Sequence, residues 1–249
     1  MTPGAEQAVL LEVVCLHPRD ATLAAEGGAD RLLLLADPTG VGRSPEPAAV
    51  SALLRESDLP VRVILRLGEG LGVTGSEFHR LVGLGSDYLS LGAAGLSFGF
   101  LDADLEIDRD ACAALAAELD APPWTFHRGF DAALETDRAW RDVAALALAT
   151  GLDGVASAGS TRGIVEGGDE LVSRAAASPD VARLLLASGG LVPDQVPWLV
   201  RAGVRQFGIG ATARPDRSWT KSSVDTGLVR SWRLLLDDAL SRALGIPVD

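Results

Sequence analysis

The sequence predicts a single α/β domain spanning residues 1–249, folded as a closed (β/α)8 barrel of the TIM-barrel class. Short aliphatic runs alternate with alanine-rich amphipathic segments along the whole chain. This strand–helix unit occurs eight times, and near-continuous aliphatic strands are typical of parallel strands buried on both faces. Eight units in 249 residues favour a closed barrel over an open doubly wound sheet.

The first half of the chain is predicted to hold four strands: AVLLEVVC (8–15), DRLLLLA (30–36), VRVILRL (61–67) and DYLSLG (87–92). Helices are predicted between them, in PRDATLAAEGG, around residues 46–56 and in GSEFHRLVGLG. Glycines end the first helix just before an aliphatic strand, and the same arrangement returns before later strands. This internal echo indicates repeated units.

The second half continues the alternation. The helix in DRDACAALAAELD carries acidic residues in its first turn, where they complement the helix dipole. Strands follow at 124–129, 154–159, 182–189 and 205–210, separated by helices in LETDRAWRDVAALALAT, GDELVSRAAAS and PDQVPWLVRAG. An internal proline predicts that the last of these helices is short or kinked. Residues 214–221 (RPDRSWTK) are predicted to form a loop before a final helix in VDTGLVRSWRLLLDDALSRAL.

The composition restricts the classes of partner. The net charge of -12 argues against nucleic acid and anionic membranes, because both require basic surfaces. The two cysteines do not suggest a disulfide framework and fit a reducing compartment. No apolar run approaches the roughly 18 residues of a membrane span, and the N-terminal stretch has no signal-like pattern. We therefore expect a cytoplasmic protein.

The active site of a parallel barrel lies at the carboxyl ends of its strands, so polar residues there are the candidate site residues. The fifth strand leads into PWTFHRGFD, which contains His127. Because side chains alternate along a strand, His127 and Thr125 are predicted to face the barrel mouth, with Trp124 and Phe126 toward the helices. His127 is then a candidate general acid or base, or an anion ligand. The alternative is a hydrogen-bonded structural histidine.

Glu12 and Arg66 are the other two catalytic candidates. Glu12 lies within the first strand, where a carboxylate among aliphatic residues must be paired or solvated. It is predicted to point into the barrel, as an acid/base or as the partner of Arg66. Arg66 ends the third strand, where an arginine is expected to bind a carboxylate or phosphate. A buried ion pair that fixes barrel geometry is the alternative for Glu12.

The candidates for ligand binding lie at the ends of strands five to eight: Arg128, Asp131, Ser157, Ser188, Gly189, Gly190 and Gly210. The first two are predicted to form a loop salt bridge with each other. The loops after strands seven and eight are rich in glycine, and backbone amides at these positions can bind phosphate or another anion. The alternative is that the glycines serve the turns alone.

The sequence gives little support for a resident metal or cofactor, and none is predicted. Cys15 and His17 follow the first strand and could approach His127, but Cys15 has the opposite parity to Glu12, so one of the two faces the helices. Copper(I) prefers soft thiolate and thioether ligands. The chain has two cysteines and one methionine, and the second cysteine, Cys112, is predicted on a helix.

Several segments together resemble the CutC family of copper-homeostasis proteins, over nearly the whole chain. The resemblance rests on LLEVVC, AEGGADRLLLL, VRVILRL, FGFLDADLEID, FHRGFD, SAG, SGGLVPDQV and FGIGATAR, in this order. FHRGFD is the most specific match and differs from the usual motif by Gly129 in place of alanine. The resemblance implies a (β/α)8 barrel, a cytoplasmic location, a homo-oligomer and a link to copper tolerance.

By position, the resemblance carries over Glu12, Cys15, Arg66, His127, Arg128, Asp131 and Ser157. Other family positions differ. Leu33 stands where the second strand usually has a glutamate, and Leu67 and Gly68 stand where proline and a second arginine usually follow Arg66. Gly208 stands where a histidine is usual. The chain therefore resembles a diverged branch, and the joint loss of an acid and a base fits a changed substrate.

Three functions fit these residues. The first is the family role: a cytoplasmic protein associated with copper homeostasis, whose copper binding is weak or indirect. The second is a metal-independent barrel enzyme for a small anionic substrate, with His127 as acid/base, Glu12 as its charge partner and Arg66 as the anion anchor. The third is a non-catalytic sensor of a small ligand. Whether the chain is an enzyme stays open at this point.

Overall fold

The computed structural model describes residues 8–219 and 221–246, and its eight strands form one closed barrel. In chain order they are β1 (Leu10–Cys15), β2 (Arg31–Leu34), β3 (Val61–Ile64), β4 (Gly95–Phe98), β5 (Trp124–Phe126), β6 (Leu152–Ser157), β7 (Leu185–Ala187) and β8 (Gln206–Ile209). Neighbouring strands pair in parallel, and β8 pairs with β1 to complete the ring. The predicted (β/α)8 barrel is confirmed.

Helices surround the barrel. They are α1 (Pro18–Gly27), α2 (Pro47–Leu54), α3 (Gly75–Ser90), α4 (Arg109–Glu118), α5 (Thr136–Ala149), α6 (Ile164–Ala177), α7 (Pro179–Leu184), α8 (Val196–Arg201) and α9 (Thr226–Leu244). A short 3-10 turn, Arg128–Ala132, follows β5. None of the helices in the described ranges is both long enough and apolar enough to cross a membrane.

The apolar core lies largely between the barrel and its helices. On β5, Trp124 and Phe126 are fully buried in this layer. The Trp124 ring stacks on Phe98 with 4.0 Å between ring centroids, and its indole N–H donates to the Thr150 carbonyl over 3.0 Å. The two large aromatic residues therefore face the helices, as predicted, and Thr125 between them faces the inside of the barrel.

The fourth strand was predicted at residues 87–92, and this prediction is wrong. Helix α3 begins at a capping box of Thr74 and Glu77 and continues to Ser90, burying Leu81, Gly85 and Tyr88 at helical spacing. The true strand, β4, consists of Gly95–Phe98 (GLSF), whose small residues lack a strong β-propensity. A side chain at Gly95 would place its Cβ 2.2 Å from the Pro123 carbonyl oxygen, so close strand packing requires glycine there.

The start of the seventh strand also differs from the prediction. Residues 182–184 belong to α7, whose first turn is capped by Ser178, with its Oγ accepting from the Val181 amide over 3.4 Å. Proline at the start of α7 favours a helix. The aliphatic run ARLLLA is therefore divided between a helix and a three-residue strand, because periodicity alone cannot separate short buried helices from strands.

A buried ion pair fastens the β8–α9 loop to the start of the chain. Arg214 and Asp20 are 1 % and 0 % exposed, with 2.6 Å between Nη2 and Oδ2. Arg214 Nη1 also donates to the Val14 carbonyl over 3.1 Å, and Asp20 Oδ1 accepts from the Val224 amide over 2.9 Å. The pair therefore joins β1, α1 and the loop that lies above the barrel.

Replacing Asp20 by asparagine is expected to lower the free energy of unfolding by about 3–5 kcal/mol, because the Arg214 charge is left buried and unpaired. Urea unfolding measures this change. Asp237→Asn is the matched control, since Asp237 pairs with Arg233 at the surface with 56 % of its side chain exposed. Loss of this surface ion pair is expected to lower the free energy of unfolding by less than about 1 kcal/mol. Equal effects would contradict the special role of the buried pair.

Candidate functional site

A cavity of about 280 Å³ opens where the strands end, and residues from all eight strands line it. A larger groove of about 710 Å³ lies outside the barrel, against α9 and the β8–α9 loop. We assign the candidate site to the barrel cavity, because the carboxyl ends of parallel strands bring polar groups from many segments to one place. The outer groove lacks this convergence.

His127 lines the barrel cavity, with only 4 % of its surface exposed. Its Nδ1 accepts a hydrogen bond from the Gly129 amide over 3.1 Å, which assigns the proton of the neutral ring to Nε2. Burial, helped by the nearby charge of Arg66, lowers the pKa of His127 to about 4. The imidazole is therefore neutral at pH 7, and its Nε2–H is the donor left for a ligand.

Glu12 also lines the cavity, but its charge partner is Arg31 rather than the predicted Arg66. Glu12 and Arg31 are opposite each other in the β1–β2 register, and Arg31 Nε lies 2.6 Å from Glu12 Oε2. Both residues are buried. The β1–β2 register places Arg31 beside Glu12, whereas Arg66 lies in the loop beyond the end of β3.

Arg66 lies half-buried in the loop after β3, outside the lining of the main cavity. Its Nη1 donates to the Gly42 carbonyl over 2.9 Å, and its Nη2 donates to the Glu69 carbonyl. The backbone amide of Arg66 donates to Ser44 Oγ over 2.8 Å. The guanidinium thus joins the loops after β2 and β3, and the structure does not place it as an anion anchor in the cavity.

Arg128 and Asp131 form the predicted loop salt bridge, with 3.0 Å between Nη2 and Oδ2. Asp131 also accepts from Ser157 Oγ over 2.6 Å and from the Ala158 amide over 3.0 Å. Burial raises the pKa of Asp131, while Ser157 and Arg128 oppose that change. Arg128 therefore lines the cavity, whereas Asp131 and Ser157 lie outside its lining. Asp131 binds both Arg128 and Ser157, and so it holds the Arg128 guanidinium in position.

The loops after β7 and β8 bring Ser188, Gly189, Gly190 and Gly210 to the cavity, as the sequence predicted. Ser188 Oγ is buried and has no hydrogen-bond partner among the residues that the structure describes. The φ angles of 85° at Gly189 and 90° at Gly190 favour glycine, and the Arg128 guanidinium packs directly on Gly189. Within the described residues, the amides of Gly189, Gly190 and Gly210 donate no backbone hydrogen bond.

Three contributions to the barrel interior were not foreseen. Arg62 lies inside the barrel and donates to Asp153 Oδ1 over 2.7 Å and to Thr125 Oγ1. Trp219 forms part of the cavity wall, and so does Ser97. The sequence does carry a signal for Arg62, which is a charged residue within the aliphatic strand VRVI. Like Glu12, such a residue must be paired or solvated. No local pattern distinguished Trp219 from other loop residues.

The possible metal ligands do not converge. Cys15 is fully buried in the core on the helix side of β1, and burial, helped by Asp20, raises the pKa of its thiol far above the ordinary range. His17 is exposed at the start of α1, and Cys112 is buried on α4, where the sequence placed it. Across residues 8–219 and 221–246, no group of three His, Cys, Asp or Glu side chains could hold a metal ion.

Comparison with known proteins adds the family. The family model described as the CutC family matches residues 9–212. This chain belongs to the CutC family. A CutC family protein of Klebsiella pneumoniae is 29 % identical over 198 residues, covering 79 % of this chain and 78 % of that protein. The human copper homeostasis protein cutC homolog is 27 % identical over 234 residues, covering 90 % and 82 % of the two chains.

Solved structures agree on the barrel. A crystal structure described as the copper homeostasis protein CutC of Streptococcus agalactiae matches with a TM-score of 0.70 at 20 % identity, covering 81 % of this chain and 98 % of that chain. N-(5'-phosphoribosyl)anthranilate isomerase of Pyrococcus furiosus matches with a TM-score of 0.58 at 12 % identity, covering 92 % and 99 %. At these identities the matches show the shared fold alone.

The lowered pKa of His127 predicts a loss of stability in acid. The unfolded chain has a histidine pKa of about 6.5, whereas the folded value is about 4, so the unfolded state binds more protons between these values. The stability that the neutral His127 ring contributes is therefore fully present above about pH 6.5, and it is lost as the pH falls toward 4. Between pH 7.5 and pH 5, we expect His127 to account for a loss of about 2 kcal/mol.

Urea unfolding of the wild type and His127→Asn at these two pH values measures the effect. The asparagine oxygen keeps an acceptor near the Nδ1 position for the Gly129 amide, but it does not titrate. The variant should therefore be less sensitive to acid than the wild type by that amount. The same acid sensitivity in both proteins would show that His127 is not the group responsible.

Proposed function

We propose that this CutC-family protein takes part in copper homeostasis without holding copper itself, by binding a small anion at the barrel mouth. The observation that carries this proposal is the convergence of unpaired donors in one cavity. His127 supplies Nε2–H, Ser188 supplies Oγ–H, and Arg128 supplies Nη1, which makes no hydrogen bond to the described residues. The free amides of the β7 and β8 loops add further donors.

The environment of Cys15 argues against direct copper binding. A thiolate is the form that binds copper(I), and burial disfavours the thiolate of Cys15. The thiol also points away from the cavity that His127 lines. A copper site within one chain would require both residues to rearrange, so the association with copper is better explained as indirect.

A metal-independent enzyme acting on the same anion is the second candidate, because Glu12 and His127 line one cavity. With a pKa of about 4, His127 is a weak base at neutral pH and is better suited to donate a hydrogen bond from its neutral ring. Arg128, rather than Arg66, would anchor the anion in this enzyme. A ligand sensor needs the same contacts without the chemistry.

We infer a cytoplasmic location from the two free, buried cysteines, which fit a reducing compartment. We infer a homo-oligomer from membership of the family. The net charge of -12 supports small-molecule partners over nucleic acid or anionic membranes. Light scattering of the purified protein tests the oligomer.

Copper(I) titration against a competing chelator, under reducing conditions, tests the indirect role. We expect the wild type to lose the competition, and Cys15→Ala to behave in the same way, because the thiol is inaccessible. Tight binding that disappears in Cys15→Ala would restore a direct copper role. A Cys112→Ala variant is the matched control, since Cys112 is equally buried on a helix.

Inorganic phosphate binding, measured by calorimetry, tests the anion site. Ser188→Ala removes a hydroxyl that has no partner in the described part of the chain. The free energy of unfolding should therefore change by less than about 1 kcal/mol, while phosphate affinity falls roughly 5- to 10-fold. Ser157→Ala is the comparison variant for stability. It removes the 2.6 Å hydrogen bond to Asp131 and should lower the free energy of unfolding by about 1–3 kcal/mol. The anion site would be refuted if phosphate did not bind, or if Ser188→Ala bound phosphate as tightly as the wild type.

A further inference from the structure

The wall of the barrel cavity is divided into two unlike halves. The side built by β1, β2 and β3 and the loop after β2 is apolar except for the carboxylate of Glu12, and it presents Val14, Leu33, Leu35, Val41 and Ile64. The half built by β4, β5 and the β7 loop presents hydroxyl, imidazole and guanidinium groups. In the ring β1 lies opposite β5, and β3 lies opposite β7, so the polar groups of β5 and the β7 loop face the apolar side. The strands β6, β7 and β8 add the apolar side chains Ala156, Leu186 and Ile209 between them.

Trp219 extends the apolar half at the rim. Its indole packs on Gly210, where an added Cβ would come within 2.4 Å of Cη2. On its other side, Arg214 Cζ lies 4.8 Å from the ring centroid, and the buried pair with Asp20 holds that guanidinium in place. The ring is therefore a fixed part of the wall, supported from below and behind.

The charges favour one orientation of a bound molecule. Glu12 contributes a carboxylate to the lining, where it is balanced by Arg31, and this carboxylate disfavours a second negative charge next to it. Arg128, Ser188 and the amides of the β7 loop form the part of the wall that favours an anion. An anionic head bound there would direct the rest of the molecule toward β1–β3 and Trp219.

We propose that the ligand is a small organic anion with a compact apolar body, such as an aryl or branched-alkyl group, rather than an inorganic ion or a polyhydroxylated one. This inference rests on the proposed anion site and specifies its ligand class. The cavity of about 280 Å³ has room for roughly nine water-sized groups at about 30 Å³ each. It therefore accommodates one ring or a short branched chain together with the anionic head.

Calorimetry with three probes tests the ligand class: inorganic phosphate, glycerol 3-phosphate and phenyl phosphate. All three present a phosphate head, and the last two differ mainly in whether the body is polar or apolar. We expect phenyl phosphate to bind at least about tenfold more tightly than glycerol 3-phosphate, because its ring is removed from water against an apolar wall. Glycerol hydroxyls would be desolvated there without partners.

Two variants test which part of the cavity wall causes the preference for phenyl phosphate. Trp219→Ala should weaken phenyl phosphate by about tenfold and leave inorganic phosphate within about twofold. Trp198→Ala is the matched control, because Trp198 is 58 % exposed on α8, outside the cavity. Leu33→Asn changes another part of the apolar wall and keeps the number of side-chain heavy atoms. It should also reduce the preference for phenyl phosphate, and it keeps the test decisive if Trp219→Ala fails to fold.

The outcomes separate the two proposals. If inorganic phosphate binds but phenyl phosphate binds no more tightly than glycerol 3-phosphate, the apolar ligand class is wrong and the anion site stands. If phenyl phosphate is preferred but Trp219→Ala and Leu33→Asn both keep the preference, the apolar wall is not its cause and the inference is overturned. If none of the probes binds, the anion site and the ligand class are both refuted.

Discussion

The buried pair of Asp20 and Arg214 is the constraint on which the mouth of this barrel depends. Two opposite charges enclosed in the protein interact strongly, but only their mutual pairing and further hydrogen bonds offset the loss of water. Here those bonds go to β1, to the start of α1 and to the segment before α9. The long β8–α9 loop is thereby fixed over the barrel, and Trp219 with it. Without Asp20, Arg214 would lose the charged partner that holds it against the Trp219 ring.

Charges also close the lower part of the barrel. Glu12 pairs with Arg31, and Arg62 pairs with Asp153, all from strand positions. Filling the interior with paired side chains leaves only the upper part of the barrel open, so the cavity is small. The donors that line the cavity at its rim are on the loops after β5, β7 and β8, where Arg128, Ser188 and Gly210 lie.

Membership of the CutC family does not by itself place copper on this chain. The parity of β1 determines where the thiol lies: when Glu12 faces the inside, Cys15 faces the helices, and there its thiol is buried among apolar residues. The positions where the resemblance predicts other polar residues, Leu33 and Gly208, lie in the cavity lining. The other two differing positions, Leu67 and Gly68, lie outside this lining.

The sequence by itself determined the barrel, most strand positions and the face of β5 on which His127 lies, because alternating side chains and aliphatic runs are local properties. It also predicted the Arg128–Asp131 salt bridge, whose residues are three apart. Only the tertiary structure decided that Glu12 pairs with Arg31, that Arg66 joins two loops, and that Arg214 and Trp219 complete the mouth. Those contacts join distant segments, and strand register and loop paths set them. The fourth strand was misplaced for a related reason: small residues suit β4 because of what packs against them, which no local pattern reveals.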